Sequence, residues 1–169
     1  MKWILICLGS LAGLVALSFL IGSMLPSGHT ASRTLRLKRS PDEVWKVLID
    51  YSAMPTWRTD LTKIERMPDA NGHQVWMETG GMSLPLEDIE SDPPHKLVRR
   101  IADPNLPFGG TWTYQITAVA DGCTVKITED GVVRNPIFRL MSRFSDQSST
   151  ITGFLEALAG RFSEEVHLE

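Results

Sequence analysis

Three periodicities succeed one another along the chain. An uncharged apolar block comes first. A long middle stretch alternates every second residue. A final stretch repeats its apolar positions every third or fourth. Residues 3–25 form the block, 23 residues without one charge. About 20 apolar residues cross a bilayer core, and a helix there satisfies its own backbone. Trp3 stands at one edge as an interfacial anchor. Gly9 and Gly13 form a G-x-x-x-G, a candidate helix-pairing face. A cleaved signal peptide is the competing reading. The run is long for one, no clean A-x-A site follows, and Cys7 lacks a lipoprotein context, so the block is read as an uncleaved anchor.

The alternating part begins after a short Pro- and Gly-containing linker, residues 26–31. Residues 32–39 set Leu35 and Leu37 against Arg36 and Lys38, a half-exposed strand. Ser40-Pro41-Asp42-Glu43 then opens a helix: Ser40 caps, Pro41 takes the first position and Glu43 completes a capping box. Val44, Trp45, Val47 and Leu48 are its buried side, and it ends near Asp50. Residues 51–58 predict a second short helix or turn. Six strands follow over residues 61–67, 73–79, 83–91, 96–102, 111–120 and 123–134. Turns separate them, of which Asp121-Gly122 is the clearest hairpin signal. No connection is long enough for a crossover helix, so the strands pair antiparallel.

Residues 136–165 change period. At about 100° per residue, Ile137, Leu140, Met141, Phe144, Ser148, Ile151, Leu155, Leu158 and Phe162 share an arc, and only Ser148 among them is polar. Asn135 is the predicted N-cap and Pro136 the first helical residue. The order of elements is α+β: a strand, two short helices, six antiparallel strands and one long helix. The expected layout is an anchor at 1–25, the linker, one domain at 32–165 and a tail at 166–169.

Composition narrows the function. Net charge is −3, which supplies no basic field for nucleic acid. The two cysteines fall in the apolar block and in a strand, and the four histidines have no ligand spacing, so neither a disulfide nor a metal site is expected. No cofactor motif, G-x-S-x-G elbow, H-E-x-x-H or P-loop is present. Glu87, Asp88 and Glu90 are read as a solvated strand edge. The flanking charges point both ways on orientation: Arg33, Arg36, Lys38 and Arg39 favour a cytoplasmic domain, while the short N-terminus with its single Lys2 has the form of an export signal. Nothing in the sequence sets the oligomeric state.

The segments Ser40-Pro41-Asp42-Glu43-Val44-Trp45 and Tyr51-Ser52-Ala53-Met54-Pro55-Thr56-Trp57 resemble the opening of the polyketide cyclase/dehydrase family of START-like (SRPBCC) proteins. Gly110-Thr111-Trp112-Thr113-Tyr114 and Asp121-Gly122-Cys123-Thr124-Val125 are similar to its last hairpin. The resemblance covers residues 32–165. It implies a helix-grip fold, an antiparallel sheet curved around the long C-terminal helix, with a cavity between them for lipids, sterols, polyketides or other apolar molecules. It implies no universal catalytic motif.

Alternation nominates the lining of such a cavity. Trp112, Tyr114 and Ile116 share one strand face, and Val125, Ile127 and Glu129 share another. Glu129 closes an apolar row, where burial would raise a carboxylate's pKa, and it is the one catalytic candidate. Arg99 lies inward with Leu97 and Ile101, placed to pair with Glu129 or to meet an anionic head group. Trp57, Trp76 and Phe108 are candidates for the mouth, and Phe144, Ser148, Ile151 and Leu155 for the helix side. Three functions follow as expectations: a membrane-anchored binding protein for a lipid or apolar small molecule, a cyclase/dehydrase-like or other enzyme using a pocket carboxylate, and a membrane-tethered protein-interaction module.

Overall fold

The computed structural model describes residues 2–144, 146 and 148–169. Its elements are α1 (Lys2–Met24), β1 (Gly28–Leu37), α2 (Pro41–Ile49), a 3-10 turn at Met54–Thr56, β2 (Leu61–Ala70), β3 (His73–Gly80), β4 (Ser83–Asp92), β5 (Lys96–Ile101), β6 (Phe108–Val119), β7 (Gly122–Val133), α3 (Pro136–Ser142) and α4 (Ser149–Arg161). The seven strands form one antiparallel sheet in the order β1-β7-β6-β5-β4-β3-β2. Every strand except β1 pairs with its chain neighbour, as short connections require. β1 crosses to pair with β7, which brings the two ends of the domain together. The β2–β3 turn places both Asn71 (φ 54°) and Gly72 (φ 81°) in the left-handed region, as a tight hairpin demands.

α2 starts as its sequence predicts. The Ser40 hydroxyl accepts from the Glu43 N–H, and the Glu43 carboxylate accepts from the Ser40 N–H. Those bonds hold the Glu43 carboxyl below its usual range. Val44, Trp45 and Leu48 are buried against the sheet.

α4 crosses the concave face of β1, β7 and β6. Its buried residues, Ile151, Phe154, Leu155, Leu158 and Ala159, follow the i, i+3, i+4, i+7, i+8 spacing of a core-facing stripe. They meet Leu35, Leu37, Tyr114, Ile116, Val125 and Ile127 in one cluster.

The single helix expected over residues 136–165 is instead two. α3 ends at Ser142 and α4 starts at Ser149. The part of that expectation on Ser145 and Gln147 lies outside the described residues. Asp146 explains the interruption: its carboxylate accepts both the N–H and the hydroxyl of Ser148, a local bond that competes with helical pairing. α4 stops at Arg161, short of Glu165, because Ser163 turns left-handed (φ 56°) and the Glu164 N–H returns to the Ala159 carbonyl. β1 begins at Gly28, four residues before the alternation becomes visible in the sequence. The tail also pairs: Thr34 and Glu169 exchange both backbone hydrogen bonds, at 2.9 Å each.

α1 is long and apolar enough to cross a membrane, a property signal sequences share, and its most apolar 18-residue window is not buried in the domain. Its C-terminal turns meet α3. Gly22 makes that approach possible, since a Cβ there would collide with the Pro136 carbonyl.

Candidate functional site

The register defines one concave face across the sheet. Trp76 stands opposite Leu86, Asp88 opposite Arg99, Arg99 opposite Trp112, and Trp112 opposite Glu129. Directly opposed residues share a face. The β3–β5 part of this face carries charge in its interior. Arg99 is 2% exposed and Glu78 5%. The Arg99 guanidinium donates to Glu78 at 2.5 Å and to Asp88 at 3.0 Å. Arg58, just beyond the 3-10 turn, donates to the other Glu78 oxygen at 2.9 Å and to Asp60 at 2.6 Å. The Tyr51 hydroxyl donates to Asp88 at 2.8 Å. Two arginines and three carboxylates are thus tied together across three strands and one loop.

Aromatic rings enclose the cluster. Tyr51 lies 4.7 Å from the Trp76 ring centroid and 4.5 Å from the Arg99 guanidinium carbon. Phe154 of α4 receives Trp57, Trp112 and Tyr114 edge-on at 5.5–6.1 Å, with Arg58 over its ring at 5.1 Å. Burial opposes ionisation of Arg99, but Glu78 and its neighbours outweigh it and hold the guanidinium firmly charged. Burial pushes the Tyr114 phenol up to about 12, with Arg99 pulling the other way. Tyr51 is raised as well, again chiefly by burial. Both phenols are therefore neutral near pH 7, and that of Tyr51 acts as a donor, not a base. Among the described residues, two donors within this cluster are buried with no protein partner: Nη2 of Arg99 and Nε1 of Trp76.

The residues nominated by alternation divide among several places. Tyr114, Ile116, Val125, Ile127, Ile151 and Leu155 are all in the packed core, with Trp57 and Trp112 half-buried against it. Arg99 and Trp76 belong to the ionic cluster. Phe108 is half-buried at the start of β6, opposite Val133. Ser148 is buried, and its hydroxyl is taken by Asp146. Phe144 is 86% exposed, because the helix ends before it and its N–H closes a turn onto the Met141 carbonyl. Arg99 does not pair with Glu129, since Trp112 stands between them. Glu129 is 3.4 Å from His29 of β1 instead. Glu87 and Asp88 are not a solvated edge: β5 sets Arg100 and Arg99 opposite them, and Glu87 is buried on Arg100 at 2.6 Å.

Glu78, Arg58, Tyr51, Asp88 and Phe154 had no part in the sequence-based lining. Strand alternation does place Glu78 on the face of Trp76, a signal that was available. Nothing local announces that Arg58 would reach it.

A cleft of about 550 Å³ opens at the other end of the face, lined by β1 from Thr30 to Arg33 and by Ser142, Arg143, Asp146 and Ser148. Among the described residues, no group of His, Cys, Asp and Glu is arranged to hold a metal ion.

A curved antiparallel sheet gripping a C-terminal helix, with polar groups on the inner face, defines a START-like helix-grip domain. Residues 28–163 match the family described as polyketide cyclase / dehydrase and lipid transport, and the chain belongs to that family. Solved structures agree on the fold. The Zhui aromatase/cyclase from Streptomyces sp. R1128 superposes with a TM-score of 0.67 at 15% identity, covering 80% of this chain and 94% of that one. Norcoclaurine synthase from Thalictrum flavum gives 0.64 at 14%, covering 82% and 88%. A START superfamily protein from Mycobacterium smegmatis gives 0.62 at 15%, covering 80% and 97%. No sequence match was found among curated proteins.

Proposed function

We propose that this is a membrane-anchored protein that binds a lipid or other apolar small molecule on the inner face of its sheet, with a polar acceptor on the ligand meeting Arg99 and Trp76. One observation carries the reading: among the described residues, Nη2 of Arg99 and Nε1 of Trp76 are buried donors without protein partners, on two side chains that both pack on the Tyr51 ring. A buried donor left unpaired costs roughly 1–3 kcal/mol. A carbonyl, phenol or carboxylate oxygen would recover that cost, and the surrounding rings would take up the apolar remainder. The family's lipid-transport members make this ligand class a natural one. α1 supplies the anchor, by its length and composition.

The test is organic extraction of the full chain purified from its native membrane, followed by mass spectrometry. A stoichiometric apolar molecule with an acceptor oxygen is expected. Trp76→Phe, which keeps a ring but removes the donor, should lower its retention. Wild-type protein that carries nothing overturns the reading.

The His29–Glu129 pair favours a second reading, an enzyme in which this pair moves a proton on the bound molecule. Glu129→Gln would then retain the molecule and stop its conversion. Unchanged conversion retires that alternative.

A further inference from the structure

α3 is a seven-residue helix with no buried residue. Phe138 is 50% exposed and Met141 62%, and Phe144 follows in the next turn. At 100° per residue Phe138 and Met141 fall within about 60° of one another, and the exposed Phe144 follows in the turn that ends the helix. No element among the described residues covers this face. A soluble surface has little reason to hold three large apolar side chains so close together.

The position of this face suggests its occupant. Among the described residues of α1, Ser18 and Gly22 are the ones that lose exposure, four apart on one side of the helix. Small residues at that spacing let another helix approach closely, and Pro136 of α3 takes the place. The contact is fixed by Arg139, whose guanidinium donates to the Gly22 and Leu25 carbonyls at 3.3 and 3.0 Å. Carbonyls in the last turn of a helix lack intrahelical partners, and a cation there also suits the helix dipole. α3 is therefore held beside the last two turns of α1, roughly 11 Å of its axis. A 23-residue helix is roughly 34 Å long against a hydrocarbon core of about 30 Å, so its final turns lie at the lipid–water boundary. Residues 134–148 carry Arg134, Arg139 and Arg143 against one carboxylate, Asp146. Arg134 and Arg139 are engaged by backbone carbonyls, and the net positive charge of the segment beside an apolar face suits an anionic lipid surface.

We propose that α3 is an interfacial helix that lays Phe138, Met141 and Phe144 into the bilayer leaflet holding the C-terminal end of α1. The proposal rests on α1 being a membrane span. Ser142 and Arg143 belong both to this segment and to the wall of the 550 Å³ cleft, so the cleft would open beside lipid.

Depth-dependent quenching tests it. The full chain carrying Cys7→Ala is given Met141→Cys, labelled with an environment-sensitive fluorophore, and placed in nanodiscs of phosphatidylcholine with a minor fraction of phosphatidylglycerol. Cys123 is buried and is left in place. Lipid spin-labelled near the top of its acyl chain should quench the label at position 141 at least about twofold, and lipid labelled near the chain end much less. Leu14→Cys, midway along α1, reports the span: it should be quenched by the deep label. Met82→Cys, in the exposed β3–β4 turn, should be quenched by neither. Quenching at position 14 without quenching at position 141 overturns the interfacial helix and leaves the anchor standing. Quenching at neither removes both. A blue-shifted but unquenched label at position 141 means that protein, such as a second copy of this chain, covers the face, and it overturns the proposal.

Discussion

The two halves of the concave face share one sheet but are filled by opposite means. Under β1, β7 and β6 the side chains are apolar, and α4 closes over Leu35, Val125 and Ile127 with Ile151, Leu155 and Leu158. Under β3, β4 and β5 the buried groups are Arg99, Glu78 and Asp88, neutralised by one another and by Arg58. An apolar filling contributes stability in proportion to the area it removes from water. A buried ionic filling contributes little net, because desolvation offsets attraction, yet it is costly to break. The apolar half holds the domain together, and the ionic half constrains what can sit beside it.

The largest effect should come from breaking the ionic half on one side only. Arg99→Met leaves Glu78 to Arg58 and Asp88 to the Tyr51 hydroxyl, an excess of buried negative charge, and is expected to cost about 3–5 kcal/mol, read from thermal or urea unfolding of the full chain in nanodiscs. Adding Glu78→Gln should recover part of that loss, a pattern that simple packing would not produce. Leu158→Ala, in the apolar half, leaves a cavity under α4 and should cost about 3 kcal/mol with no such rescue by a charge change. If Arg99→Met proves the milder of the two, the division between the halves is wrong.

A smaller effect is expected at high pH. The Tyr114 phenol rises from 10.0 to about 12 in the folded protein. Below pH 10 the folded and unfolded chains both keep this proton. Between about 10 and about 12 the unfolded chain loses it while the folded one retains it, so the unfolded state binds fewer protons and stability falls as pH rises. One unit of pKa corresponds to about 1.4 kcal/mol, so the window should remove on the order of 2–3 kcal/mol. Tyr114→Phe should flatten this part of the pH–stability curve, and an unchanged slope would remove Tyr114 from the account.

Much of the fold was legible because it is written in short-range patterns. The capping box of α2, the Asn71-Gly72 and Asp121-Gly122 turns and the alternation of β6 and β7 each need only a few adjacent residues. The apolar half of the face was legible for the same reason, since Ile116, Val125 and Ile127 repeat every second residue. The ionic half was not. Arg58 and Glu78 are 20 positions apart and Glu78 and Arg99 are 21, and their meeting depends on the register of β3, β4 and β5. The division between α3 and α4 was also hidden. The apolar period runs through it unbroken, and among the described residues it is the Asp146–Ser148 bonds that compete with a continuous helix. Phe154 fell outside the counted stripe because a face covered by aromatic rings is wider than one covered by strands alone.

The pairing of Glu169 with Thr34, together with the Leu35–Leu168 bridge, has a further consequence. β1 is an outer strand of the sheet, and such a rim is a template on which foreign chains can assemble. The closing residues occupy that rim from within. At the opposite rim, Pro68 lacks a donor, and the ladder is irregular between Met67 and Ala70. Both margins are thereby blunted against runaway strand exchange.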